Sequence, residues 1–432
     1  MFLIDTIDHF ISGDWGEESQ TPESPRATYC IRGADINNVN SHNFGGTPLR
    51  YVNQSSFDNK QLQAGDIIIE KSGGSPTQST GRVAFISQQC VDELQDVICS
   101  NFCAAFSVKE NWNPKYVFYF IQHVYNSGVF FNFEGKTSGL RNLQLENAFK
   151  SIPIKQIDKP TQDRIVNVLD KIESKITLAN SINRNLEQLA RQLYDYWFVQ
   201  FDFPNHDGKP YKSSGGEMVW NEKLKREIPT NWKSSSITAI ADILSGGTPS
   251  KSVDEYWNGT IPFFGPTDVG YSIFQIDTKE HITQSGLEHC ASSLFDEGTI
   301  IITARGSIGK LVVVGKQMAM NQSCYALHPK NGEFEYLFFL TIELIEHLKQ
   351  KGSGSVFKSI IAIDIETSWL SIAPNSIIKD FCKVCSPIFK KIKENTIEID
   401  RLQRLRDELL PMLLNGQVNC DLVYIGITKF HQ

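Results

Sequence analysis

Residues 160–198 read PTQDRIVNVLDKIESKITLANSINRNLEQLARQLYDYWF. Within them Ile165, Leu169, Ile172, Ile176, Ala179, Asn183, Leu186, Ala190, Leu193 and Trp197 recur at alternating steps of four and three. That spacing lines one side of a helix with a narrow apolar seam, and only Asn183 breaks it. A seam of this width fits one partner helix. The chain supplies a candidate 216 residues further on, where Phe381, Cys385, Ile388, Ile392, Asn395, Ile399, Leu402, Arg406, Leu409 and Leu413 repeat the pattern with Asn395 and Arg406 as departures. Pro160 and Ser376 stand near the two starts and Gly416 follows the second end, ordinary helix punctuation. About 36 residues at 1.5 Å rise make a rod roughly 50 to 55 Å long.

Outward from the helices the rest of the chain repeats too. A shift of 233 residues lays Ile4, Ile7, Phe10, Ile11, Ser12 and Gly13 on Ile237, Ile240, Ile243, Leu244, Ser245 and Gly246, and Asp35 on Asp268. It also lays Gly65-Asp66-Ile67-Ile68-Ile69 on Gly298-Thr299-Ile300-Ile301-Ile302, β-branched runs of the kind that form buried strands. The shift falls to 228 at Gly81-Arg82 against Gly309-Lys310, which places a five-residue difference in the loop after that strand. It falls to 220 where Gly139–Leu145 match Ser359–Ile365 and Ser151-Ile152 match Ser371-Ile372, and to 216 in the helices.

The period is far too long for a solenoid. The predicted fold is α+β: two similar globular modules joined by two long antiparallel helices, a coiled-coil spacer with a pseudo-two-fold internal repeat and a module at either end. The expected boundaries are 1–155 for the first module, 156–225 for the first spacer helix and linker, 226–375 for the second module, 376–420 for the second helix and 421–432 for a tail. A zipper between separate chains is the rival reading of one seam, but two seams in one chain satisfy each other. The aromatic linker Val199-Gln200-Phe201-Asp202-Phe203-Pro204, followed by turn-rich residues to Gly216, is expected to cap the helical pair.

Composition bounds the function. The 432 residues are 41% hydrophobic and 21% charged, which suits a multidomain globular protein. No apolar run approaches the ~20 residues of a membrane span, and Met1–Phe10 carries two aspartates where a signal peptide would be basic, so the cytoplasm is the expected location. Nine cysteines at unrelated spacings, with Cys382-Lys383-Val384-Cys385 a single pair, point to reduced buried thiols and no metal. A net charge of −7, from 42 basic and 49 acidic residues, argues against wrapping nucleic acid by bulk field. If DNA is the ligand, a partner chain must share in neutralising its phosphates.

Several stretches together resemble a known family. Ile11-Ser12-Gly13-Asp14-Trp15-Gly16, Leu244-Ser245-Gly246-Gly247-Thr248-Pro249-Ser250, Ile31-Arg32-Gly33-Ala34-Asp35-Ile36 and the segment from Leu193 through Trp197 to Gly216 and Trp220 look like type I restriction-modification specificity (S) subunits. The resemblance covers nearly the whole chain and extends to its order of parts. It implies two target recognition domains, each reading one half of a split, asymmetric site in double-stranded DNA. It further implies that the helices dock two methyltransferase (M) subunits, which methylate adenine with S-adenosylmethionine. Restriction (R) subunits using ATP and Mg²⁺ would join the same complex, leaving this chain without cofactor or catalysis.

The residues agree with a chain that carries no catalytic site. The nearest approach to a phosphate-binding loop, Ala304-Arg305-Gly306-Ser307-Ile308-Gly309-Lys310-Leu311, has Ala for the first glycine and Leu for the magnesium-binding hydroxyl. Asp268, Asp277 and Lys279 have the makings of a metal-dependent nuclease, but Asp277 matches Phe44 in the sister module, so the pattern is not repeated. Glu173-Ser174-Lys175 falls on the solvated face of a helix. A coiled-coil adaptor without a DNA role is the remaining alternative.

The candidate DNA-binding residues lie in and beside the loop after the β-branched strand: Lys71, Ser72, Gly73, Gly74 and Arg82 in the first module, Arg305, Gly306, Ser307 and Lys310 in the second. Glycine lets backbone amides approach phosphate, and an arginine fork binds either phosphate or guanine. A tight turn with a solvated base is the plain alternative. Gly46-Thr47-Pro48-Leu49-Arg50 and Lys136–Arg141, the latter echoed by Gly352–Lys358, are secondary candidates, with Arg141 and Lys358 singled out among their cations.

Overall fold

The computed structural model describes residues 1–432 except 76–77, 138–139, 271, 352–358 and 418–432, so Lys358 and the 421–432 tail lie outside the described residues. The chain divides into two compact units: residues 1–177 with 402–432, and residues 178–401.

In the first unit, β1 (Ile7–Ser12), β2 (Arg26–Ile31), β3 (Leu49–Val52), β4 (Ile67–Glu70), β5 (Val83–Phe85), β6 (Val97–Cys99) and β7 (Cys103–Val108) build two sheets. One has the order β1-β7-β4-β5 and is antiparallel throughout; the other is β3-β2-β6, with β2 parallel to β6. Ile67, Ile68 and Ile69 are buried on both faces of the sheet, as their unbroken β-branched run requires. Two shorter helices follow, α1 (Pro114–Asn126) and α2 (Leu145–Ser151), and then α3 (Lys159–Tyr194). Asn113 caps α1 by accepting the Lys115 and Tyr116 amides, with Pro114 at the first helical position, where its missing N–H is not needed.

The second unit repeats this plan strand for strand. Here β8 (Ala241–Ser245), β9 (Trp257–Phe264), β10 (Glu280–Ile282), β11 (Ile300–Thr303), β12 (Leu311–Val314), β13 (Ala319–Met320) and β14 (Cys324–Pro329) give sheets β8-β14-β11-β12 and β10-β9-β13, the first extended at its edge by Phe274–Gln275. The registers coincide as well. Ile67 faces Phe106 and Phe85, and Ile300 faces Leu327 and Val313, the same strand positions in the other unit. Gly13 and Gly246 show why glycine opens both modules: a Cβ on Gly13 would lie 1.9 Å from the Ser100 carbonyl oxygen, and one on Gly246 2.1 Å from that of Asn321. The unit continues through α4 (Phe334–Lys351), α5 (Ala362–Thr367) and α6 (Asn375–Leu414).

One sequence-derived register needs correction. Phe2 bridges Pro153, and its counterpart Ser235 pairs with Leu370; Leu143 N–H donates to Lys71 C=O where Ile360 N–H donates to Ala304 C=O. The shift at these residues is therefore 217, not the expected 220. Leu140, Leu143 and Leu145 meet Ile360, Ile363 and Ile365 at a shift of 220, while Leu143 and Ala148 meet Ile360 and Ile365 at 217, so an apolar pattern alone does not separate the two registers.

Each unit contains part of both long helices, paired antiparallel. In the first unit Lys155 Nζ donates to Asn415 C=O (3.3 Å) and Arg406 Nη1 meets Glu173 Oε1 (2.8 Å), with Ile165, Leu169, Ile172, Ile176, Leu402, Leu409 and Leu413 buried. In the second unit Asn183 lies against Ile392 and Asn395, while Tyr194 and Trp197 pack on Phe381 at 6.0 and 5.7 Å between ring centroids. Leu186, Leu193 and Ile388 flank this core, Ile392 and Ile399 are buried, and Phe198, Phe201, Phe203 and Trp232 fill its end. The linker aromatics thus pack as core. All three breaks in the seams are satisfied: Asn395 Nδ2 donates to Asn183 Oδ1 at 2.8 Å, and Arg406 takes Glu173 and Asp407. The second helix closes on a Schellman turn, Gly416 N–H to Leu413 C=O and Gln417 N–H to Met412 C=O.

Candidate nucleic-acid interface

At the ends of β2, β4 and β6 in the first unit, the chain turns back at one edge of the sheets. Lys71 and Ser72 N–H both donate to Phe102 C=O (2.8 and 3.1 Å), tying the loop after β4 to the β6–β7 turn, and Ser100 N–H donates to Ile31 C=O. Ser72 Oγ bonds the Asn142 side chain, and Ser72-Gly73 pairs with Asn142-Arg141 in a small sheet that includes Glu134–Thr137. A Cβ on Gly73 would approach Glu70 Oε1 to 2.5 Å, so the loop passes directly over that carboxylate. Gly74 is exposed at its tip.

The cations of this edge differ sharply in freedom. Arg82 is gripped by the buried Glu70 through two bonds, Nε–Oε2 at 3.0 Å and Nη2–Oε1 at 2.7 Å, which raise its pKa further. Arg141 Nη1 bonds the buried Glu134 Oε2 at 2.7 Å, and Glu134 Oε1 also accepts the Thr80 N–H. Arg50 is buried, with its guanidinium 3.7 Å from the Trp15 ring centre and 3.2 Å from Glu18. Among the candidate cations of this edge whose side chains are described, Lys71 alone is half-exposed and makes no ion pair with a described residue. Spacing places Arg82 and Arg141 beside the loop, but the carboxylates that hold them emerge only in the fold.

The corresponding edge of the second unit keeps the backbone and changes the side chains. Ala304 and Arg305 N–H donate to Ser323 C=O (2.8 and 3.3 Å), as Lys71 and Ser72 do to Phe102. Thr303 stands where Glu70 stands; its hydroxyl accepts the Lys310 N–H (3.0 Å) and donates to Ser307 C=O (2.5 Å), bracing the turn from within. Arg305, Gly306, Ser307 and Lys310 are exposed or half-exposed, and neither cation forms an ion pair with a described residue. Gln322 and Thr248 bond to each other through their side chains beside the same turn.

Asp268 and Asp35 prove to be the same structural device. Asp268 Oδ2 accepts the Gly265 N–H at 2.8 Å and Asp35 Oδ2 the Arg32 N–H at 2.9 Å, each closing a short 3₁₀ turn. Asp268 Oδ1 also accepts the Lys279 N–H, and Asp277 bonds His281 at 2.8 Å, so both carboxylates of the nuclease reading are engaged internally. Burial raises the thiol of Cys385 to about 12, and all the described cysteines are free.

Two copies of one α+β module, each with a strand-end edge of distinct chemistry and each followed by a long helix, define a protein built by internal duplication. The chain belongs to the family described as type I restriction modification DNA specificity domain, which matches residues 12–188 and 229–403. It is 26% identical over 326 residues to the type I restriction enzyme HindI specificity subunit of Haemophilus influenzae, covering 63% of this chain and 70% of that one. It is 25% identical over 280 residues to the MjaIX specificity subunit of Methanocaldococcus jannaschii, covering 64% of this chain and 62% of that one. The crystal structure of the type I system S subunit from M. genitalium has the same fold, with a TM-score of 0.52 at 15% identity over 96% of this chain and 95% of that one. Family membership favours DNA specificity over the adaptor and nuclease readings. Among the described residues no helix is long and apolar enough to cross a membrane.

Proposed function

We propose that this chain reads a bipartite target in double-stranded DNA, one half-site per module, and that catalysis resides in partner subunits. The observation that carries the reading is the pair of strand-end edges: one backbone, hydrogen-bonded alike in both units, presents different side chains at matched positions. A duplicated scaffold with divergent edges suits two different half-sites, because backbone contacts position the duplex while a few side chains specify bases.

Two methyltransferase subunits using S-adenosylmethionine and restriction subunits using ATP and Mg²⁺ are the expected partners, in the cytoplasm. Leu178, Ile182 and Leu189 support docking on the long helices. They are 61, 37 and 45% exposed, and steps of four and seven residues place them on one helical face away from the buried seam. The net charge of −7 fits a subunit that binds DNA firmly only with its partners.

The test is binding of the full-length chain, with and without methyltransferase subunits, to duplexes selected from a randomised pool across a salt series, together with methylome sequencing of the host. Enrichment of a split motif, with paired N6-methyladenine in the genome, is the expected result. Binding that falls with salt equally for every sequence would refute it.

A further inference from the structure

The first module has five arginines, and all five are held by carboxylates: Arg26 by Asp96 (2.6 Å), Arg32 by Asp35 (2.8 Å), Arg50 by Glu18 (3.2 Å), Arg82 by Glu70 (2.7 Å) and Arg141 by Glu134 (2.7 Å). Bidentate recognition of guanine, the commonest specific contact in the major groove, would require one of these pairs to break. The second module has Arg305 exposed, with no ion pair to a described residue. The two modules therefore do not offer DNA the same chemistry.

What the first module offers at this edge is an aromatic ring. Phe102 is 57% exposed, yet it is no part of a loose terminus. Its carbonyl accepts the Lys71 and Ser72 amides, and Cys103 N–H donates to Ser100 C=O at 2.9 Å to close the turn that carries it. Its counterpart is Ser323, whose carbonyl accepts the Ala304 and Arg305 amides in the same way. At one backbone position, then, the first unit carries an exposed phenyl side chain and the second a hydroxymethyl group, each on a turn whose carbonyl accepts the matched amides, Lys71 and Ser72 in one and Ala304 and Arg305 in the other. A phenylalanine on an anchored turn has little backbone freedom left to lose on binding. The apolar mark that distinguishes one base in the major groove is the 5-methyl group of thymine.

We propose that Phe102 is a specificity-determining residue of the first module, reading its half-site by packing against a thymine 5-methyl group. The assignment rests on the DNA-reading function proposed above. Lys71 beside it would hold the adjacent phosphate and contribute salt dependence without sequence preference.

The experiment compares the full-length chain with Phe102→Ala and Phe102→Ser, each with methyltransferase subunits present, on duplexes carrying the selected motif, with deoxyuridine replacing thymidine one position at a time. Arg305→Ala identifies which half-site belongs to the second module. Wild type should lose affinity about three- to fivefold at one thymine of the other half-site when its methyl group is removed. Both Phe102 variants should bind thymidine and deoxyuridine duplexes equally there while keeping their selectivity in the Arg305 half, which also shows that they are folded. A Phe102→Ala variant that still discriminates thymidine from deoxyuridine, or that weakens on all sequences alike, overturns the assignment. So does a first half-site without a methyl-sensitive thymine. Failure of wild type to select any motif overturns the DNA-reading function itself, and this assignment with it.

Discussion

Asn395→Ala tests whether the two polar breaks in the helical seams act as one unit. Alanine is the natural choice, since Ala179 occupies the corresponding position of the first helix. In the native pair Asn395 Nδ2 donates to Asn183 Oδ1 at 2.8 Å, both side chains are buried, and Asn183 Nδ2 lies 3.5 Å from Ile392 C=O. The substitution leaves Asn183 Oδ1 buried without its donor, which costs about 1–3 kcal/mol, more than the ~1 kcal/mol that a hydrogen bond of this kind contributes net. Asn183→Ile, which copies the counterpart Ile399, should destabilise comparably by stranding the Asn395 amide. Combining the two removes both stranded groups, so the double variant should be more stable than the sum of the singles predicts, with a coupling energy of about 1–2 kcal/mol. In a unit of this size each kcal/mol moves the unfolding midpoint by roughly 2–4 °C. Calorimetry of the full chain for wild type, both singles and the double closes the cycle. Strictly additive effects would refute the idea of a mutually satisfied pair.

Three further outcomes follow from the same contacts. Arg305→Ala should weaken cognate binding by about 1–3 kcal/mol if the side chain reaches a base, or chiefly lower the salt slope if it reaches phosphate, with thermal stability unchanged; equal binding at every salt would remove Arg305 from the interface. Arg82→Ala should instead lower stability by roughly 3 kcal/mol, because it abandons the buried Glu70, and a stable variant in denaturant titration would contradict that account. Lengthening both long helices by one turn, about 5.4 Å each, should shift the gap between selected half-sites, and retention of the original gap would count against the helices as a spacer.

The pH dependence of the second unit has a definite sign. Burial pushes the Glu187 carboxyl up to about 7, against the opposing pull of the Ile273 amide and Arg184. The folded unit therefore holds this proton between the ordinary carboxylate range and about pH 7, while the unfolded chain has released it. Stability from this group is present below the unfolded value and is lost as pH rises through about 7. Glu187→Gln keeps an acceptor for the Ile273 amide and should flatten that decline, raising the midpoint at pH 8 more than at pH 5. An equal shift at both values would show that Glu187 is charged throughout.

The heptad seams, the duplication, the buried isoleucine strands and the opening glycines were legible in the sequence because each expresses a local rule: which face is buried, which backbone admits no Cβ. Gly13 and Gly246 could be matched without coordinates, and so could the five-residue difference after the β-branched strand. Spacing rules of this kind survive in one dimension since period and burial are coupled along the chain.

Tertiary structure alone decided which partners the polar groups find. Glu70 and Arg82 are twelve residues apart, and Asn183 and Asn395 are 212 apart; no periodicity announces either pairing. The same holds for Phe102, which reads in sequence as one more aromatic among 27 phenylalanines and becomes distinctive only when its carbonyl is seen anchoring Lys71 and Ser72. Burial patterns follow from local sequence, but a charge is made free or bound by whatever the fold brings to it. The scaffold of this protein is therefore written in its residue spacing, and the chemistry of its two edges in long-range pairings.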